Sequence, residues 1–252
     1  MRVIATATAL VAGTLWLARF DHGWPLLVRT IAWPLVSLLA AYWTPAMLVS
    51  AHSPAVERRL VAFDSRWLRG RDLALATRAP RWLVESLELA YLFCYPLIPA
   101  GWMCLHVFGG ACDEERYWAA VMFAAALCYG ALPWLPTRPP RTTEPERVCR
   151  STIRRLNILA LGRAGIQLNT FPSGHVATAF AAALVVFSAL PLTGSLLMLV
   201  ALAITIGSVV GRYHYAADAL AGMVVALLAF SVSRLACSDI RSLELISVLA
   251  PQ

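Results

Sequence analysis

Phe171-Pro172-Ser173-Gly174-His175 stands where a long polar stretch runs into an apolar one, Val176 to Leu192. Pro172 suits a turn or a first helical position, and Ser173 suits a helix N-cap. Gly174 lets a ligand come close to the backbone, and His175 projects from the first turn. Unpaired N–H groups and the positive end of the helix dipole favour an anion there, phosphate above all. A turn that only starts a membrane helix, with an interfacial histidine, has the same sequence. The choice between the two therefore rests on what else the chain carries.

Two further stretches bear on it. In Gly211-Arg212-Tyr213-His214-Tyr215-Ala216-Ala217-Asp218 the histidine and the aspartate are four apart and share a helix face. A carboxylate on one imidazole nitrogen fixes the tautomer and leaves the other nitrogen free to attack. Arg212 offers a forked donor that fits phosphate. Tyr129 to Arg141, YGALPWLPTRPPR, is the end of another apolar run and supplies Arg138 and Arg141. Interfacial charges and a proline-rich exit turn are the plain alternatives for these two.

The 252 residues are 60% hydrophobic with a net charge of +7, and mean hydropathy is +0.68. That composition reads as an all-α, polytopic integral membrane protein. All 21 basic residues are arginine; they fall in loops between apolar runs, which argues against nucleic acid as a partner. Spans are expected at about 3–20, 24–50, 82–107, 117–135, 176–192, 195–210 and 214–235, giving six to seven helices. Segment 51–81 mixes seven arginines with Leu60, Phe63 and Trp67 and reads as an amphipathic helix on a membrane surface. The chain then divides into 1–81, two spans plus this segment, and 82–252, a catalytic core. Glu85 and Glu88, at the start of the third span, are expected to pair with arginines of segment 51–81. The loop 137–170 is long for a compact domain, with an interfacial helix expected over Glu146 to Leu161.

The order Arg138-Pro139, then Pro172-Ser173-Gly174-His175, then Arg212…His214-x-x-x-Asp218 resembles the three-part signature of the type 2 phosphatidic acid phosphatase (PAP2) superfamily. The match covers Tyr129 to Asp218. Where the common first motif has a lysine seven residues before its arginine, this chain has Ala131. Where the common third motif puts five residues between arginine and histidine, this chain has Tyr213 alone. Both departures look most like the branch containing inositol phosphorylceramide synthases and their bacterial relatives. They leave the role of Arg212 open, and either Arg138 or Arg141 as the first-motif arginine.

The resemblance implies His214 as nucleophile, Asp218 as its orienting acid and His175 as general acid and base. It implies phosphate binding by Arg138, Arg141, Arg212, Ser173 and Gly174, with no cofactor and no metal. The implied partner is a lipid phosphate in the bilayer, such as phosphatidic acid or a polyprenyl diphosphate, and the implied location a bacterial inner (cell) membrane. With water as acceptor the protein is a lipid phosphatase; with an alcohol acceptor it is a phosphotransferase. A non-catalytic lipid-binding scaffold is the reading of another class, and the intact His175, His214 and Asp218 speak against it.

Alternation of the spans puts all three stretches on one membrane side, which no motif required. On that side fall Arg2, the arginines of 51–81 and 137–170, and Arg212, against Arg19, Arg116, Arg234 and Arg241 on the other. The positive-inside rule places the site in the cytoplasm, whereas the resemblance points to the outer or lumenal face. Cys94, Cys104 and Cys128 read as small apolar residues inside helices. Cys112 and Cys237 fall together on the side away from the site, but spacing alone does not call for a disulfide. No Cys or His spacing suggests a metal site, and His106 shows no evident partner.

Overall fold

The computed structural model describes residues 2–17, 19, 23–49, 51–143, 151–166, 168 and 171–249. All regular elements among them are helical: α1 (Arg2–Leu17), α2 (Gly23–Leu27), a π-helical turn (Val28–Ala32), α3 (Trp33–Ala46), α4 (Pro54–Trp67), α5 (Arg71–Arg78), α6 (Arg81–Leu92), α7 (Cys94–Phe108), α8 (Ala111–Gly130), α9 (Pro140–Thr143), α10 (Thr152–Ala164), α11 (Gly174–Ala189), α12 (Pro191–Val210) and α13 (Ala216–Leu249). By length and apolarity, α12 and the first 20 residues of α13 can cross a membrane, as can α6–α7 taken as one bent span.

The centre is α11. Every residue from Val176 to Ala183 is buried, and six of those eight are alanine or threonine. Small side chains let neighbouring backbones approach closely, and α8, α12, α13 and α7 all pack around this helix. At Gly222 of α13 an added Cβ would lie 2.7 Å from the Ser173 carbonyl oxygen. Glycine there lets α13 reach the head of α11.

Two prolines shape the surrounding helices. Pro34 has no N–H to give to the Thr30 carbonyl. The helix widens to π geometry just before it, and Thr30 O instead accepts Trp118 Nε1 at 2.7 Å, which ties α3 to α8. The third span is not continuous. Pro96 likewise cannot donate to Leu92, and α6 and α7 meet at a 60° bend. The bend carries Tyr91, Cys94 and Tyr95 inward to the site.

Several expectations need correcting. Glu85 does pair with Arg81 of the surface segment, Oε1 to Nε 3.3 Å. Glu88 instead takes Arg154, from the loop between α9 and α11, at 2.7 Å. Sequence proximity was a poor guide because α10 folds back over α6. His106 does have a partner, with Nδ1 3.2 Å from Glu114 and its ring stacked on Trp102. Cys94, Cys104 and Cys128 are free, while Cys112 is disulfide-bonded; the side chain of Cys237 lies outside those described. The interfacial helix expected from Glu146 starts at Thr152, and 146–150 are outside the described residues.

Candidate active site

Ser173 caps α11 as its sequence suggests. Its Oγ accepts the Val176 N–H at 3.4 Å, and its own N–H donates to the Asp218 carbonyl at 3.1 Å. The head of α11 is thus joined to the first turn of α13. Ser173 is fully buried, so its hydroxyl serves the cap. Gly174 sits against Tyr129, where a Cβ would come within 2.2 Å of Cε1. Close packing on a buried tyrosine is what fixes glycine at this position.

His214 lies in the loop between α12 and α13, with Nδ1 3.4 Å from Asp218 Oδ2. The same oxygen accepts the Tyr215 N–H at 3.3 Å. Asp218 Oδ1 is buried with no hydrogen-bond partner among the described residues, so Oδ2 makes the contact with His214. Burial and the nearby Arg141 cation push the His214 imidazole down to about 3, which keeps it neutral at physiological pH. With Nδ1–H donating to the carboxylate, Nε2 is the ring nitrogen that carries the basic lone pair. The His175 ring lies edge-on to that of His214, centroids 6.1 Å apart. Tyr42, Tyr91 and Tyr95 surround His175 at 5.8–6.1 Å.

The three arginines part company. Arg141, on α9, lines a narrow pocket of about 20 Å³ together with Tyr42, Tyr91, Tyr129, His175 and His214. Its N–H donates to the Arg212 carbonyl, and its guanidinium lies 5.5 Å from the Tyr213 ring centroid. Burial lowers its pKa from the ordinary arginine value, yet arginine stays cationic in proteins. Arg138 turns away to Glu57 on α4, with Nε and Nη2 on the two carboxylate oxygens and its N–H on Oε1 at 2.7 Å. Burial alone would raise Glu57, but these bonds bring it below its usual range. Arg212 has left-handed backbone, φ 61°, and gives Nη1 to Asp72 of α5 at 3.1 Å.

Beneath Arg141 lies a buried network that the sequence did not announce. The Tyr213 hydroxyl donates to Glu88, which also receives Arg154 and Asn157 Nδ2. The Tyr213 ring stacks on Tyr91 at 4.1 Å, so the face that receives Arg141 is held from below. Tyr91 and Tyr95 lie one turn apart, three and seven residues after Glu88.

On the α3–α7 side the pocket adjoins an apolar cavity of about 310 Å³, lined by Leu35, Leu38, Trp43, Ile98 and Pro99 among others; Tyr42, Tyr129 and His175 line both. Among the described residues no three His, Cys, Asp or Glu side chains gather as metal ligands.

No curated protein and no solved structure matches the chain. A family model described as PAP2 superfamily matches residues 58–232, a span that begins within α4 and takes in α5 and every residue of the pocket except Tyr42. Over more than half its length, and in an all-helical membrane fold, the chain belongs to the PAP2 superfamily.

Proposed function

We propose that the protein is a membrane lipid phosphatase working through a phosphohistidine. The observation that carries this is the His214–Asp218 pair set edge-on to His175 in a pocket lined by Arg141. Nε2 of His214 attacks phosphorus and the P–O bond to the lipid breaks. The leaving oxygen takes a proton from His175, which has to enter the step as the imidazolium because its neutral ring has no acidic proton to give. His175 then removes a proton from water, whose oxygen attacks phosphorus as the P–N bond breaks, releasing phosphate. Charge that grows on the equatorial oxygens faces Arg141 and the N-terminus of α11. Family membership supports the phosphatase-type chemistry, and the cavity shared with His175 suits an amphiphile whose chain lies among apolar side chains. The same phosphohistidine serves an alcohol acceptor. The compact third motif, with Tyr213 alone between Arg212 and His214, keeps the inositol phosphorylceramide synthase-like transferase as the second reading.

The test is phosphate release by purified protein in detergent with EDTA present. Phosphatidic acid, a polyprenyl diphosphate and a sphingoid-base phosphate would be supplied in turn, beside His214→Ala. Release that is lost in the variant is the expected result. Head-group transfer from phosphatidylinositol to ceramide, without release, would replace hydrolysis by transfer. Wild type and variant equally silent in both assays would overturn the enzymatic reading for these substrates.

A further inference from the structure

The surface segment α4–α5 carries three acids, and each meets a different part of the site. Glu57 holds Arg138, Asp72 holds Arg212, and Asp64 reaches α13. The third contact has the clearest consequence. α13 begins at Ala216, so Tyr215 occupies the capping position, and tyrosine offers no oxygen to the first amides of its own helix. Asp218, at the third helical position, accepts the Tyr215 N–H, which is half of a capping box. The missing half comes from another helix. Both Asp64 carboxylate oxygens lie 3.1 Å from Ala216 N, and the Ala217 N–H bonds it as well.

We propose that Asp64 is a positioning residue for the reaction: it caps α13 in trans and so fixes the first turn from which Asp218 holds His214. The inference rests on reading His214 as the nucleophile. Asp64 is half-buried, and the charged and titratable groups that act on it are Asp218 on α13, Asp72 on α5 and Tyr215 in the loop between α12 and α13. On α4 itself Glu57 is occupied by Arg138. Burial first, then the two neighbouring carboxylates, push Asp64 up to about 6 despite the amide bonds. A neutral residue would sit there at lower electrostatic cost, so a carboxylate at this point has to be accounted for by what it holds.

The experiment uses full-length Asp64→Ala and Asp64→Asn, with kcat, KM and pH profiles for whichever lipid phosphate the wild type hydrolyses. Asp64→Ala should lower kcat on the order of tenfold with KM within about twofold, the effect of losing a cap on the first turn. Wild-type activity should fall as pH drops through about 6, where Asp64 gains its proton. Asp64→Asn, which like the protonated acid keeps one neutral acceptor oxygen, should fold and run at every pH near the rate that the wild type has below about pH 6, without that acid limb. A limb that persists in Asp64→Asn, or an Asp64→Ala kcat within twofold of wild type, overturns the proposal. Hydrogen exchange in peptides covering 214–218 reads the cap without any substrate. It should quicken in Asp64→Ala, and unchanged exchange would overturn the proposal whatever the activity. An inactive wild type whose amides still respond would count against the phosphatase reading and for the cap.

Discussion

Gly174→Ala adds one methyl group at the point where α11 meets Tyr129. The new Cβ would stand 2.2 Å from Tyr129 Cε1 and 2.6 Å from Cζ. Ordinary contact begins near 3.4 Å, so ring and helix must part by about 1.2 Å. Tyr129 is only 5% exposed and has Tyr42 edge-on at 5.3 Å, which leaves the ring little room. Overpacking of this kind costs about 1–3 kcal/mol, a fall in Tm of roughly 2–12 °C for a chain of this size. The catalytic loss should be larger in proportion, because the residue that moves is next to His175. A displacement near 1 Å lowers rate by on the order of 10²-fold. Thermal unfolding in detergent and phosphate release would be measured side by side, with Gly130→Ala as control, since a Cβ there meets nothing within 4 Å. A Gly174→Ala enzyme within threefold of wild-type kcat would refute the claim that contact with Tyr129 sets the position of His175.

Breaking the buried Glu88–Arg154 pair with Glu88→Gln should cost about 3–5 kcal/mol, and Glu88→Leu with Arg154→Met together should cost less than either alone, as read by thermal melts. Arg141→Ala should lower kcat by roughly 10²–10³, whereas Arg138→Ala should lose less than about tenfold and melt earlier because Glu57 loses the guanidinium and keeps only the N–H of residue 138 and His52; equal kinetic losses would refute this division of roles. Asp64 has a folded-state pKa above its ordinary value, so its favourable contribution to stability is complete below about pH 4 and lost as pH rises through about 6. Melting temperature in wild type relative to Asp64→Asn should therefore fall over the window in which activity rises. Finally, Cys112 is disulfide-bonded on the face away from the pocket, and most arginines lie on the pocket face; both favour a cytoplasmic site. An alkaline phosphatase fusion after Gln252 should then be active and a green fluorescent fusion dark, and the reverse would place the site outside.

His175, His214 and Asp218 were legible because ionisable groups at the heads of apolar runs stand out, and because helix alternation brings those heads to one side. Legibility stopped where a choice depended on partners far along the chain. Arg138 and Arg141 are three residues apart with similar neighbours. Glu57, some eighty residues earlier, takes one of them, and Tyr213, some seventy residues later, receives the other. Tyr91 and Tyr95 passed as unremarkable aromatics of a membrane span. They reach His175 only because the chain bends between α6 and α7, and a proline shows where a helix can bend without showing which way. Glu88 was legible as a suspect but not as a partner of Arg154, since no local pattern reports that α10 folds back onto α6.

The charge arrangement gives these tertiary partners a common sense. A guanidinium bidentate to a carboxylate has its donors occupied and its field largely cancelled, which is the state of Arg138. Arg212, on Asp72, is in a similar state. A guanidinium over an aromatic face keeps its in-plane N–H donors available for an anion. Arg141 lies over Tyr213, at the pocket and close enough to depress the His214 pKa. In the proposed mechanism, attack by a neutral imidazole leaves positive charge on His214, beside the Asp218 carboxyl at its Nδ1. The acids of α4 and α5 therefore do two things at once. They pair with Arg138 and Arg212, which leaves Arg141 as the cation at the pocket, and they hold the loop and helix end that carry His214 and Asp218.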